Sequence, residues 1–344
     1  MTDTRDRDEL GKAPARAPRV LGFVALKLGG GALSLLLVVV LGFFLFRVLP
    51  GDPARTMTRS APVSAEQLAA LRHRFGLDQP LYVQFRDFLG NLVRGDLGTS
   101  YTYNRPVAEL IGERIGPTVL LVGTATVLAV LIGLWMGTRA AWRHGGPADR
   151  WFTSVGLTLW SVPTFWLGLL LLMALGVGVG PLPGLFPVSG MSSPDVPPGA
   201  LPRVLDVAHH LVLPCVTLVA VIHAQFMMVM RSSLLEEMGE EYLTTARAKG
   251  LREDLVRRRH AIPNALLPTV TLIFLHLGLV VSGAITVETV FSWPGLGLLT
   301  YEALRVPDLP LLQGTFIVLA GSVIVMNVLA ELLYRVLDPR VRAS

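Results

Sequence analysis

Charge is segregated along this chain. Six stretches contain no Asp, Glu, Lys or Arg: residues 28–46, 115–138, 151–194, 207–230, 260–287 and 309–330. A helix that crosses a bilayer needs roughly 20 mostly apolar residues at about 1.5 Å of rise each. Each stretch holds one such run. Within 151–194 the run ends near Gly180, because Pro181, Pro183, Pro187, Pro194, Pro197 and Pro198 stop any helix. The pattern predicts six spanning helices, near 28–49, 117–138, 154–179, 209–230, 264–286 and 310–334. Composition agrees: 52% of the 344 residues are hydrophobic and 16% are charged, where a soluble domain carries about a quarter charged. So apolar a chain is not disordered. Its one cysteine, Cys215, excludes a disulfide framework and a cysteine-built metal cage. The expected fold class is an all-α polytopic membrane protein. Its first apolar run of 19 residues leads directly into Arg47 and Pro50-Gly51-Asp52-Pro53. A signal-peptide core is about 7–15 residues and ends at a small-residue cleavage site, so a retained helix is expected.

The basic residues orient these spans. The N-terminal tail, 1–27, carries six Lys or Arg, the link 139–150 three, the link 231–262 seven and the C-terminal tail, 335–344, three. The links 181–208 and 287–309 hold only Arg203 and Arg305. Short loops rich in Lys and Arg stay on the cytoplasmic side, which places both termini there. Segment 50–116 has eight arginines against seven acids, and it is longer than the roughly 60 residues over which the rule operates. The pI of 9.7 and the net charge of +5 therefore reflect topology. Membrane lipid is the expected partner, and nucleic acid is not. Within 50–116, Ser64 and Gln67 form a capping-box pattern. Leu68, Leu71 and Phe75 follow at helical spacing, and Leu81, Phe85, Phe88, Leu89 and Leu92 make a second apolar stripe. These helices either cap the chain's own outer surface or receive an external partner. The organisation expected is a tail (1–27), a first spanning helix (28–49), an external segment (50–116), a five-helix core (117–334) and a tail (335–344).

The cytoplasmic link 231–262 is the most informative segment. It mixes seven basic residues with six acidic ones, which fits a protein-docking or solvated face better than a one-signed stripe. Helix formers run from about Glu240 to Lys249, and Gly250 then suits a left-handed helix end. A second helical stretch begins near Arg252 and leads to Pro263, Pro268 and the fifth span. The predicted shape is a short lever with a glycine corner, projecting from two membrane helices.

EYLTTARAKGL, Glu241–Leu251, and NALLP, Asn264–Pro268, resemble the cytoplasmic coupling loop ("EAA" loop) of binding-protein-dependent ABC importer permeases, in the form seen in the peptide-importer branch. RVLPGDPA (Arg47–Ala54), FGLDQPLYVQF (Phe75–Phe85), RGDLGTSY (Arg94–Tyr101), SVPTFWLGL (Ser161–Leu169), VETVFSWPGLG (Val287–Gly297) and LDPRVR (Leu337–Arg342) are similar to B-type subunits of that branch, so the resemblance covers about 20–342. The sequence departs from the general pattern at Thr244-Thr245-Ala246, where Glu-Ala-Ala is usual. It departs from the peptide branch at Pro263, where Arg is usual, and at Leu298, where many members carry Arg. The resemblance implies a type I ABC importer permease fold in a bacterial plasma membrane. It implies a second homologous permease subunit, two ABC ATPase subunits or one two-domain ATPase, and an extracytoplasmic substrate-binding protein. The implied cargo is a di- or oligopeptide, with nickel or another small solute as the alternative. Glu241, Tyr242, Ala246, Arg247, Ala248, Lys249, Gly250 and Leu251 are the implied ATPase-coupling residues. Among these, Tyr242, Ala246 and Leu251 would fill the ATPase groove and Arg247 and Lys249 would meet its rim. Ala246 and Ala248 would permit close approach, and Gly250 would form the corner.

The chain's own residues offer no nucleotide site. A phosphate-binding loop needs Gly-Lys followed by Ser or Thr; the three lysines precede Ala13, Leu28 and Gly250. No cofactor is expected here, with ATP and Mg on partner subunits, and the chain is read as a transport subunit rather than an enzyme. Polar residues inside spans are candidates for the translocation path: His223, His276, Glu288 and Asn327. Each has a structural alternative, since a neutral histidine or an asparagine can simply join helices and Glu288 can cap one. Glu331 is spaced to pair with Arg335, and Trp142 and Trp151 flank a cytoplasmic link as interface anchors do. His209 and His210 are adjacent and point apart, so no metal site is expected. A membrane hydrolase using histidines with Glu288 or Glu331 is the rival from another class, but HExxH and GxSxG patterns are missing. A self-sufficient carrier commonly carries inverted repeats, and none is visible.

Overall fold

Backbone polar groups in lipid must be satisfied within their own segment, and helices do this. The computed structural model describes residues 16–48, 64–74, 76, 78–179 and 182–337. In chain order these form α1 (Arg16–Val48), α2 (Ala65–Arg74), α3 (Leu81–Val93), α4 (Val107–Trp142), α5 (Pro147–Ser161) and α6 (Thr164–Leu171), which continues as a π-helical turn, Leu172–Val177. A two-residue hairpin, β1 (Gly178–Val179) and β2 (Leu182–Pro183), leads towards α7 (Ala200–Met238). Then come α8 (Glu241–Ala248), α9 (Glu253–Leu255), a second π-helical turn (Val256–Ala261), α10 (Ile262–Ala265), α11 (Leu267–Val290), α12 (Leu296–Arg305) and α13 (Leu309–Leu337). Residues 49–54, 75, 77 and 338–342 of the motifs named above lie outside the described residues.

Among the described residues, four helices are long and apolar enough to cross a membrane: Val24–Phe46 of α1, α4, α7 and Leu309–Leu332 of α13. The pair α5 and α6 with its π turn makes a fifth if counted as one, bent by 98°. The single span expected over 154–179 is therefore corrected to two segments. Proline explains the break. Val162 is extended at φ −79, ψ 129, because the ring of Pro163 crowds the α conformation of the residue before it. Pro163 also has no N–H to continue the ladder. The 24-residue α11 lies where the fifth span is expected. Both α4 and α7 outrun their uncharged stretches: α4 starts early, with Glu109, Glu113 and Arg114 in its first turns, and α7 extends at both ends.

Glycine sets the central packing. A Cβ on Gly133 would lie 2.7 Å from the His223 carbonyl oxygen, and one on Gly137 would lie 2.5 Å from that of Met227. With buried Ala129 and Ala141 on the same stripe, α4 meets α7 backbone to backbone, the usual use of small residues four apart in membrane helices. α1 packs on α13, where Gly42 receives the Phe316 ring. Away from this packing, Ser64 and Gln67 make the predicted reciprocal cap of α2, with bonds of 3.0 and 3.2 Å. The α3 stripe packs on the chain itself: Phe85 and Phe88 stand 5.2 and 5.4 Å from the Phe43 ring.

Two apolar clusters lie at opposite ends of α4. One joins Val107, Leu110 and Ile111 to Leu296, Leu299 and Leu311. The other joins Ala141 to Met230, Leu234, Leu243, Val256 and Ala265.

Candidate functional site

The second cluster holds an elbow at the end of α7. α8 begins just past Gly239 and ends in a glycine cap: Leu251 N–H bonds the Ala246 carbonyl at 3.3 Å, and Gly250 N–H bonds that of Arg247 at 2.9 Å. This is the paired Schellman pattern, and Gly250 has the left-handed φ of +77° that it requires. The short helix, the glycine corner and the return to α11 all lie where the sequence predicts them. The return differs in detail, passing through α9, a π turn and α10 rather than one helix.

Side chains brace this corner. Leu243 is fully buried and Ala246 nearly so, one helical turn apart, and both face Met230 and Leu234 of α7. The Tyr242 hydroxyl donates to the Glu237 carboxylate and accepts from Asn264 Nδ2 at 2.9 Å, which also donates to the His260 carbonyl at 3.1 Å. Burial and the neighbouring carboxylate raise the Tyr242 pKa above the ordinary phenol value. Arg247 Nε reaches Glu253 at 2.9 Å, tying α8 to α9. The Arg257 guanidinium lies 5.7 Å over the Trp142 ring.

Below the elbow, a nearly buried ion pair joins α5 to α7. Arg231 bonds Asp149 twice, Nε to Oδ1 at 2.7 Å and Nη2 to Oδ2 at 2.9 Å. Gly145 N–H donates to the same carboxylate at 2.9 Å, and His144 Nδ1 is 3.1 Å from Arg231 Nη2. Sequence reasoning did not single out this pair; an acid just after a Gly-Gly-Pro turn and a base closing an uncharged run were the available signals.

The predicted coupling residues divide between two faces. Glu241, Tyr242, Ala248, Lys249, Gly250 and Leu251 are exposed, and Arg247 is half-buried. Ala246 is corrected: it faces inward and fills the chain's own core rather than an outer surface, because it lies three residues from Leu243 on the buried side of α8.

Among the described residues no hydrogen bond or ion pair joins any two of His223, His276, Glu288 and Asn327. His223 is buried, with Nδ1 3.0 Å from the Val219 carbonyl of its own helix. The His276 ring lies 5.0 Å from Phe226, and its buried Nδ1 has no hydrogen-bond partner among the described residues. Asn327 is half-buried on α13. Glu288 is fully buried and bonded to Thr118, Gly297 and Leu298, so its carboxylate is committed to the chain itself. Glu331 pairs with Lys27 at 2.8 Å; the Arg335 side chain lies outside the described residues.

Known proteins place this architecture. The family described as "Binding-protein-dependent transport system inner membrane component" matches residues 129–343, and its N-terminal companion matches 20–122. The glutathione transport system permease protein GsiC of Salmonella typhimurium is 37% identical over 94% of this chain and 99% of its own. GsiC of Escherichia coli is 36% identical over the same shares. A Brucella ovis protein provisionally named a peptide permease is 38% identical over 90% of this chain and 95% of its own. In fold, the chain is similar to the MetNI methionine ABC transporter in an inward-facing form, with a TM-score of 0.53 at 16% identity over 67% of this chain and 96% of that one. The apolar helices, the glycine-capped elbow and these matches lead to one conclusion: the chain belongs to the inner-membrane permease components of binding-protein-dependent ABC importers.

Proposed function

We propose that this chain is the B-type permease subunit of an importer for short peptides. The observation that carries the reading is its end-to-end similarity to a glutathione permease, 37% identical over 94% of the chain, glutathione being a tripeptide. Six spans are proposed, with the bent α5–α6 pair as the third and α11 as the fifth, and both termini in the cytoplasm. A second, homologous permease completes the pathway, and an external binding protein delivers cargo. ATP and Mg belong to ATPase subunits outside this chain.

The elbow couples them. Its exposed residues, Tyr242, Ala248, Lys249 and Leu251, meet the ATPase together with half-buried Arg247. Its inward residues, Leu243 and Ala246, fasten it to α4 and α7. ATPase closure then displaces the inner ends of α7 and α11 as rigid bodies, giving alternating access. The test is a purified complex of this chain with the products of adjacent genes in lipid nanodiscs, with binding protein and labelled glutathione, dipeptides or nickel. Peptide uptake with ATP hydrolysis stimulated by loaded binding protein is expected, and Gly250→Pro or Leu251→Asp should abolish both. Uptake by this chain alone, or nickel as the carried species, would overturn the reading.

A further inference from the structure

Three helices, α4, α11 and α12, meet at one carboxylate. Glu288, on the last turn of α11, accepts from the Thr118 hydroxyl of α4 at 2.8 Å. Its other oxygen accepts from the N–H groups of Gly297 at 2.7 Å and Leu298 at 3.0 Å. Thr118 Oγ1 in turn accepts the Leu296 N–H at 2.8 Å. Leu296, Gly297 and Leu298 are the first three residues of α12, whose amides have no partner within their own helix. The intervening loop is held as well. Trp293 donates its backbone N–H to the Glu288 carbonyl at 2.8 Å and its indole N–H to the Pro117 carbonyl of α4 at 2.9 Å. Glycine makes room for the carboxylate: a Cβ on Gly295 would collide with Glu288 Oε2, and one on Gly297 would lie 2.9 Å from it.

A helix is usually capped by a residue at its own start. Here the cap is divided between two other helices, and both of those helices run to the elbow. α4 ends beside Ala141 in the elbow cluster, and α11 begins two residues after Ala265 in the same cluster. We infer that Glu288 is a positioning residue for coupling: with Thr118 it rivets α12 to α4 and α11, so that a displacement of the outer segment 292–305 reaches the elbow along two rods. This rests on the importer reading above and adds the route by which the outer surface addresses the ATPase.

The test uses the assembled complex in nanodiscs and reads two ratios: the fold stimulation of ATP hydrolysis by loaded binding protein, and peptide transported per ATP. Glu288→Gln and Thr118→Val should each lower the stimulation by about fivefold, the lower range of coupling between sites. The double variant should be no worse than Glu288→Gln alone, because both changes open one clasp. Where Glu288→Gln fails to assemble, Thr118→Val and Trp293→Phe carry the test. A merely structural clasp would lower the yield of complex and leave both ratios at the wild-type value. That outcome, or independent additive losses in the double variant, overturns the inference. A wild-type complex without stimulation overturns the importer reading instead.

Discussion

Gly250 is the residue on which the elbow's shape turns. A Cβ there would touch nothing within 4 Å, so the cost of substitution is conformational alone. Gly250→Ala should destabilise the corner by about 1–2 kcal/mol, read as a lower thermal midpoint of the purified complex, with Gly250→Asn milder because Asn tolerates the left-handed region. A second residue-level outcome concerns pH. Tyr103 donates to Glu302 at 2.8 Å, and burial with that carboxylate pushes its pKa up to about 12. The raised value means that the folded state keeps the proton longer than the unfolded chain. Its stabilising contribution is complete below about pH 10, the ordinary phenol value, and is lost as pH climbs towards 12. Tyr103→Phe should remove this part of the alkaline loss, measured as thermal midpoint against pH.

Among the elements, the α4–α7 contact and the α5–α7 ion pair are the most exposed to damage. Gly137→Ala places a methyl 2.5 Å from the Met227 carbonyl oxygen and should cost about 1–3 kcal/mol by forcing the helices apart. Arg231→Ala strands Asp149, whose side chain is only 6% exposed, and should cost about 3 kcal/mol. Arg231→Lys should fall between, since it keeps the charge and loses the two-pronged geometry; chemical denaturation of the complex ranks the three. The sequence made the helices legible because lipid excludes charge, and the elbow legible because a glycine after a run of helix formers has few other uses. The bend at Pro163 was hidden within an uninterrupted apolar run, where hydropathy alone reads straight through a proline. The starts of α4 and α7 were hidden for the opposite reason: their helices continue into water, where charged residues cease to mark a boundary. Asp149–Arg231 and Glu288–Thr118 join residues 82 and 170 positions apart, and no local pattern announces such pairs. Ala246 was misassigned because helix phase within an eight-residue segment depends on which neighbour anchors it, here Leu243.

At the scale of the whole molecule, the proposed topology makes a direct prediction. Fluorescent-protein fusions at the C-terminus should light up, and alkaline phosphatase inserted near residues 195 and 306 should be active, while an insertion near 145 should be silent; the reverse pattern would invert the orientation. The long contact between α4 and α7 then has a consequence for how far such a machine needs to move. Where two backbones touch through glycine, neither can slide or roll past the other, and the pair behaves as a single spar. A spar built on the 39 residues of α7 is about 58 Å long, so pivoting it by about 5° at one tip sweeps the far tip through about 5 Å. A small tilt that leaves every helical turn intact is thereby enough for a stroke about the width of a peptide backbone.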